Sequence, residues 1–176
     1  MKTLLSSLVL AAATAVCQAQ SVNVTLDPAQ DGGGARTGSG IFNITLTGDV
    51  LTITGEFSGL SGNFRDAHIH GAAAAGANAG VLYGLASSIT LGPDSRSGTI
   101  NATVNLVDNA NNRGFSVATQ KDQFANGLWY FNVHSTTFTG GEIRGQILPV
   151  PEPSTIALGV LGLGGLMLWR ARRREA

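Results

Sequence analysis

The middle of this sequence predicts an all-β domain, an antiparallel β-sandwich or Greek-key barrel, on three observations. Apolar and polar residues alternate with a period of two in one short run after another. Glycine, with 24 of 176 residues, punctuates those runs together with Thr, Asn and Ser. Away from the two chain ends, only one stretch reads as helix.

The strands follow in order. Val22, Val24 and Leu26 alternate with Asn23 and Thr25, and Phe42, Ile44 and Leu46 alternate with Asn43 and Thr45. Leu51, Ile53 and Phe57 share one parity against Thr52, Thr54 and Glu56. Thr47-Gly48-Asp49 joins the second and third runs as a tight hairpin. Further strands are expected at about Ala67–His70, Val81–Leu85, Gly98–Val104, Trp129–His134 and Glu142–Leu148. The helix is Val117–Asn126, with Phe124 facing inward and Gly127 suited to a left-handed C-cap. Ile53, Phe57, Ile69, Val133, Ile143 and Ile147 are the expected core. The Asn-x-Thr triplets at Asn23, Asn43 and Asn101 fit the glycosylation pattern, but strand alternation spells the same thing, and they read as solvated strand faces.

Both ends are addresses. Met1-Lys2 starts positive, Leu4 to Val16 is apolar or small, and Cys17-Gln18-Ala19 places small residues where signal peptidase reads. Residues 1–19 are therefore a signal peptide, with signal peptidase as a partner. Cys17 as a lipoprotein cysteine is the rival, but Val16 and Thr14 stand where that motif has a small and an aliphatic residue. Cys17 is the single cysteine, so no internal disulfide is expected.

Residues 149–176 form the second address. Pro151-Glu152-Pro153 breaks regular structure, Ile156 to Trp169 is uncharged and apolar, and Arg170, Arg172, Arg173 and Arg174 close the run. Ser154–Trp169 as a helix spans about 24 Å, and snorkelling Trp169 and arginines close much of the gap to a ~30 Å hydrocarbon core. A C-terminal transmembrane helix with the arginines on the cytoplasmic side is expected. The order Pro-Glu-Pro, short apolar helix, basic cluster resembles the PEP-CTERM sorting signal. That resemblance implies recognition by an exosortase-type membrane protease, which cuts near the motif. A permanent single-span anchor is the alternative.

Residues 20–148 carry six lysines and arginines against nine carboxylates. A phosphate-binding surface needs the opposite balance, so nucleic acid is excluded as a partner. Asp31-Gly32-Gly33-Gly34 lacks the helix that a phosphate-cradling loop requires, and reads as a flexible loop.

The chemistry lies in the three histidines. Asp66-Ala67-His68-Ile69-His70-Gly71 puts His68 and His70 on one strand face and Ile69 on the other. Asn132 and His134 share a face, as do Glu142, Arg144 and Gln146 opposite Ile143 and Ile147. If these strands pair, three imidazoles converge with Glu142 or Arg144 beside them. The segments Ala67–Gly71, Asn132-Val133-His134-Ser135 and Gly141-Glu142-Ile143-Arg144-Gly145-Gln146 resemble, in order, the hallmarks of the CHRD domain. Ala72 stands where that family often has proline, and Phe138-Thr139 where it often has Asn-Pro. The family's biochemical role is poorly defined.

Two readings of the polar row stand side by side. Neutral imidazoles suit copper or zinc, and His-x-His on a strand is a two-ligand arm. Alternatively, the histidines with Glu142 and Arg144 form a hydrogen-bonded network pinning two sheets. Ring nitrogens converging on one point favour metal; an Arg144 fork on a carboxylate among them favours the network. The fold is expected to be immunoglobulin-like or superoxide-dismutase-like. A His-x-His arm in a sandwich is also similar to copper-zinc superoxide dismutases, which need more ligands than three histidines. Enzymatic function is not expected, because no nucleophile with a partner stands out; for a polymer hydrolase or lyase only Glu56, Asp66 and Glu142 are candidates. The leading expectation is an exported, non-catalytic module at the cell surface or in an exopolysaccharide matrix. The alternative is a copper- or zinc-binding or redox protein built on His68, His70 and His134.

Overall fold

A computed structural model of the chain describes residues 19–149, together with Gly162, Leu163 and Arg170. Nine strands, β1 Gln20–Leu26, β2 Ser39–Thr47, β3 Val50–Ser58, β4 Phe64–Gly71, β5 Val81–Gly84, β6 Ile89–Leu91, β7 Gly98–Asn105, β8 Trp129–Ser135 and β9 Ile143–Ile147, form two sheets. The first has the order β1-β2-β3-β7-β6 and the second β5-β4-β8-β9, with antiparallel pairing throughout. This is the expected sandwich.

Alternation sets the core. Leu26, Phe42, Ile44, Leu51 and Ile53 from the first sheet meet Ala67, Ile69, Phe131, Val133, Ile143 and Ile147 from the second, all fully buried. The six expected core residues are all inside. The β2–β3 hairpin turns at Gly48-Asp49, with Gly48 at φ 61, a conformation that costs glycine nothing. Helix α1, Val117–Ala125, starts at Ser116, whose hydroxyl accepts from the Thr119 N–H, and Gly127 lies at φ 67 just beyond its end. Phe124 packs edge-on against Trp129 in the core.

Each sheet has a second face, and the two differ. On the first sheet it is open to solvent and polar. Cross-strand register aligns Asn23, Asn43, Thr54 and Asn101 in one row and Ser21, Thr45, Thr52 and Thr103 in the next. On the second sheet it is covered by loops, so every residue of β8 and β9 is buried. The sheets also meet at one margin, where Asp27 and Arg144 exchange backbone hydrogen bonds of 3.0 and 3.1 Å.

The expected signal peptide and the apolar run Ile156–Trp169 lie outside the described residues, apart from Ala19 and the isolated Gly162 and Leu163. Among the described residues no helix is long and apolar enough to cross a membrane, so the C-terminal transmembrane helix has no structural support. β6 was not anticipated: three residues between a 3₁₀ turn and a glycine turn are too few to show alternation.

Candidate metal centre

The covered face of the second sheet is a polar layer. Odd-numbered residues of β8 enter the sandwich core, so Tyr130, Asn132 and His134 point the other way. Register places Asp66 opposite His134, His68 opposite Asn132 and His70 opposite Tyr130, with Arg144 and Gln146 alongside on β9. Loops from residues 27–36, 72–80 and 136–141 close over them. Gln146 donates to the carbonyls of Ala73 and Gly127, its backbone N–H donates to Gln30, and Arg36 donates to the Gly141 carbonyl. Burying so many polar groups opposes folding unless each finds a partner.

The three histidines come together as the strand parity predicts. One ring nitrogen from each lies within 4.8 Å of the other two. Their outward nitrogens are all occupied: His68 Nε2 faces Asp66 Oδ2 at 3.0 Å, His70 Nδ1 faces the Ala79 carbonyl at 3.0 Å, and His134 Nδ1 faces the Thr139 carbonyl at 3.0 Å. A carbonyl only accepts, so His70 and His134 carry their protons on Nδ1; the carboxylate likewise draws the His68 proton to Nε2. The inward atoms are His68 Nδ1, His70 Nε2 and His134 Nε2. His68 Nδ1 and His134 Nε2 are 3.1 Å apart, and His70 Nε2 is buried with no partner. Burial holds His70 down to about 4, against the Ala79 hydrogen bond and with help from the other two imidazoles and Arg144. Burial also lowers His134, opposed by its bond to Thr139. Converging imidazoles whose far nitrogens are anchored to a carboxylate and carbonyls have the arrangement of metal ligands.

Arg144 and Glu142 part company. The Arg144 guanidinium lies 3.4 Å from the centre of the Tyr130 ring, and that ring stacks on His70 at 4.6 Å and 6°. Arg144 donates to Asn78 Oδ1, the Ala77 carbonyl and Gln146 Oε1, so it forks onto neutral oxygens and no carboxylate. Glu142 is fully buried but turned away, accepting from the Ser61 N–H, with Oε2 unpartnered. It precedes the first residue of β9, and Gly141 before it sits at φ 137, so strand parity does not govern its direction. Glu56 stands on the exposed face of the first sheet and Asp66 against His68, so the three carboxylates considered for hydrolysis face different surroundings.

Sequence reasoning set Asn132 on the His134 face and weighed Asp66 only as a hydrolytic carboxylate, and it missed Tyr130. Parity with His134 and His68 was the available signal. Beside the histidines lies a cavity of about 350 Å³ walled by Asp31, Arg36, His70, Asn78, Tyr130 and Asn132. Burial raises the Asp31 carboxyl there, offset in part by Arg36 and Arg144. A depression of about 400 Å³ at the edge of the first sheet contains Glu56 as its one titratable group. The glycines of the Gly141–Gln146 block are there for close approach. A Cβ on Gly145 would lie 2.5 Å from the Thr25 carbonyl, and one on Gly141 would overlap Asp31 and Asn132.

Of the sorting residues, Pro151, Glu152, Pro153, Arg172, Arg173 and Arg174 lie outside the described residues, and Arg170 is exposed. Residues 14–147 match the CHRD domain family, and residues 149–174 match the PEP-CTERM protein-sorting motif. No curated protein and no solved structure matches the chain.

Proposed function

Since the chain belongs to the CHRD domain family, we propose that its β-domain is a metal-binding module carried outside the cell. The sorting motif makes the protein an exosortase substrate destined for the cell surface or extracellular space. The observation that carries the metal reading is the convergence of the three imidazoles. Their outer nitrogens are anchored, and their inner nitrogens face one another, two of them 3.1 Å apart. Such a set repels itself unless a cation or a shared proton lies between. Burial disfavours the proton at His70 and His134.

The donor set selects the metal. Three imidazoles without thiolate or thioether suit zinc or copper(II) and not the oxygen-seeking magnesium or calcium. His68, His70 and His134 would hold the ion, and Asp66 would fix the His68 ring and increase its basicity. Bound there, such an ion supplies Lewis-acid or redox capacity beside the polar cavity, and three protein ligands leave it an open position. The competing network reading loses its main strut, because Arg144 bonds neutral oxygens and Glu142 faces Ser61.

Metal analysis of the protein purified from its native host without chelators tests this. We expect about one zinc or copper per chain, absent from His68→Ala and His134→Ala variants that keep their far-ultraviolet circular dichroism. Metal-free parent protein whose thermal unfolding ignores added zinc, copper and chelator would refute it.

A further inference from the structure

Arg144 is a buried charge beside a site for cations. The residue is only 3% exposed, and its guanidinium bonds three neutral oxygens, of Asn78, Ala77 and Gln146. Among the described residues no carboxylate stands within ion-pair distance of it. Asp31 feels its field, but Asp31 lies against Arg36, 3.8 Å away. Hydrogen bonds to neutral oxygens satisfy the donors without cancelling the charge. An uncancelled positive charge next to three imidazoles opposes any cation that they hold.

The fold gives that charge a set position behind one ligand. β8 lies between β4 and β9, so Tyr130 has His70 on one side and the β9 side chains on the other. The Tyr130 ring stacks on His70 with 4.6 Å between centroids and 6° between planes, and the guanidinium sits 3.4 Å from the centre of the same ring. His70, Tyr130 and Arg144 thus form one stack, with the charge roughly 8 Å from the His70 ring. The Tyr130 hydroxyl donates at 3.1 Å to the Ala79 carbonyl, which also anchors His70 Nδ1. Ring and ligand are therefore held as a unit, and buried charges there are screened little by salt.

Repulsion between two charges is proportional to each of them. Arg144 therefore opposes a dication twice as strongly as a monocation in the same place. Zinc offers only the dication, whereas copper offers both. We infer that the His70–Tyr130–Arg144 stack sets the redox balance of copper held by His68, His70 and His134, favouring copper(I) over copper(II). This rests on the metal reading and adds to it a role for Arg144 and Tyr130, neither of which coordinates the ion. The couple is one-electron: copper(II) takes an electron from an external reductant and becomes copper(I), and the stack itself gains or loses nothing. A unit charge at roughly 8 Å, in an effective dielectric of about 20 and partly offset by Asp31, is worth about tenfold in the ratio of copper(I) to copper(II) affinity. For one electron, tenfold is about 59 mV.

The test is the affinity of the full chain, solubilised in detergent, for each copper ion. Copper(I) is competed against bathocuproine disulfonate under ascorbate, and copper(II) against nitrilotriacetate in air. Asn78→Asp puts a carboxylate at the far end of the 2.9 Å bond from Arg144, on an exposed loop residue, and leaves the stack untouched. It should tighten copper(II) about threefold relative to copper(I). Arg144→Gln removes the charge and should shift the ratio the same way by about tenfold, lowering the potential by about 59 mV. Arg144→Lys keeps the charge and should stay within about twofold of the parent ratio. A structural role would weaken both ions together and leave the ratio unmoved. A parent-like ratio in Asn78→Asp or in a folded Arg144→Gln, or a Lys variant that shifts as far as Gln, would overturn the proposal. Parent protein that takes up zinc but copper in neither state would overturn it and leave the histidine site standing, whereas uptake of no metal at all removes both.

Discussion

Replacing Asp66 separates a metal site from a structural network more sharply than removing a ligand does. The carboxylate holds His68 Nε2 at 3.0 Å through Oδ2 and is itself steadied by the Ala67 N–H, 2.8 Å from Oδ1. Outer partners of metal-ligating histidines are worth ten- to hundredfold in metal affinity. The Asp66 side chain is 38% exposed, so solvent screens its charge and the lower end applies. Asp66→Asn keeps an acceptor for the Nε2 proton and loses only charge; we expect about tenfold weaker binding, about 1.4 kcal/mol. Asp66→Ala also frees the imidazole to move its proton to Nδ1, onto the atom that faces the metal, and should weaken binding by somewhat more than Asp66→Asn does. In the metal-free protein this partly exposed hydrogen bond is worth about 1 kcal/mol. Competition titration of zinc and copper against a chromophoric chelator, with thermal unfolding of apo and loaded forms, reads both quantities. Parent-like affinity in both variants, or an unfolding shift identical with and without metal, would refute the reasoning.

Two further perturbations test other parts of the account. Gly145→Ala forces a methyl to within 2.5 Å of the Thr25 carbonyl and 2.6 Å of Val24 Cγ1, so urea unfolding should show a loss of about 1–3 kcal/mol or more; an unchanged midpoint would mean the β1–β9 margin is not closely packed. Replacing Arg170, Arg172, Arg173 and Arg174 with Glu removes the basic cluster of the sorting motif, and immunoblotting of host fractions should show unprocessed, mislocalised protein, with normal processing counting against the sorting assignment.

The sandwich was legible because alternation with one wet face is a strong signal, and it located Phe42, Ile53 and Ile69 in the core. The histidine cluster was legible for the same reason: parity within paired strands fixes which side chains share a face. The method failed where pairing stops. Glu142 lies one residue before β9 and turns to Ser61 although it shares parity with Arg144. Parity also gave no sign of what covers the face: loops distant in the chain bury Asn132, Arg144 and Gln146. No local pattern announces that the carbonyls of Ala79 and Thr139 anchor His70 and His134, because any residue supplies a carbonyl.

The seam between Asp27 and Arg144 ties the first strand of the domain to the last. A chain that crosses a membrane from its N-terminus delivers β1, β2 and β3 early, and their hairpins pair at short sequence separation. The seam waits for β9, more than a hundred residues later, and the Arg144 guanidinium that caps Tyr130 arrives with it. Contacts of such separation form late. Until Ile143–Ile147 is available, β8 pairs only with β4 and leaves its other edge open, a template for association with other chains. The domain therefore closes only once β9, the strand next to the sorting motif, is available, and the histidine layer acquires its last wall with it.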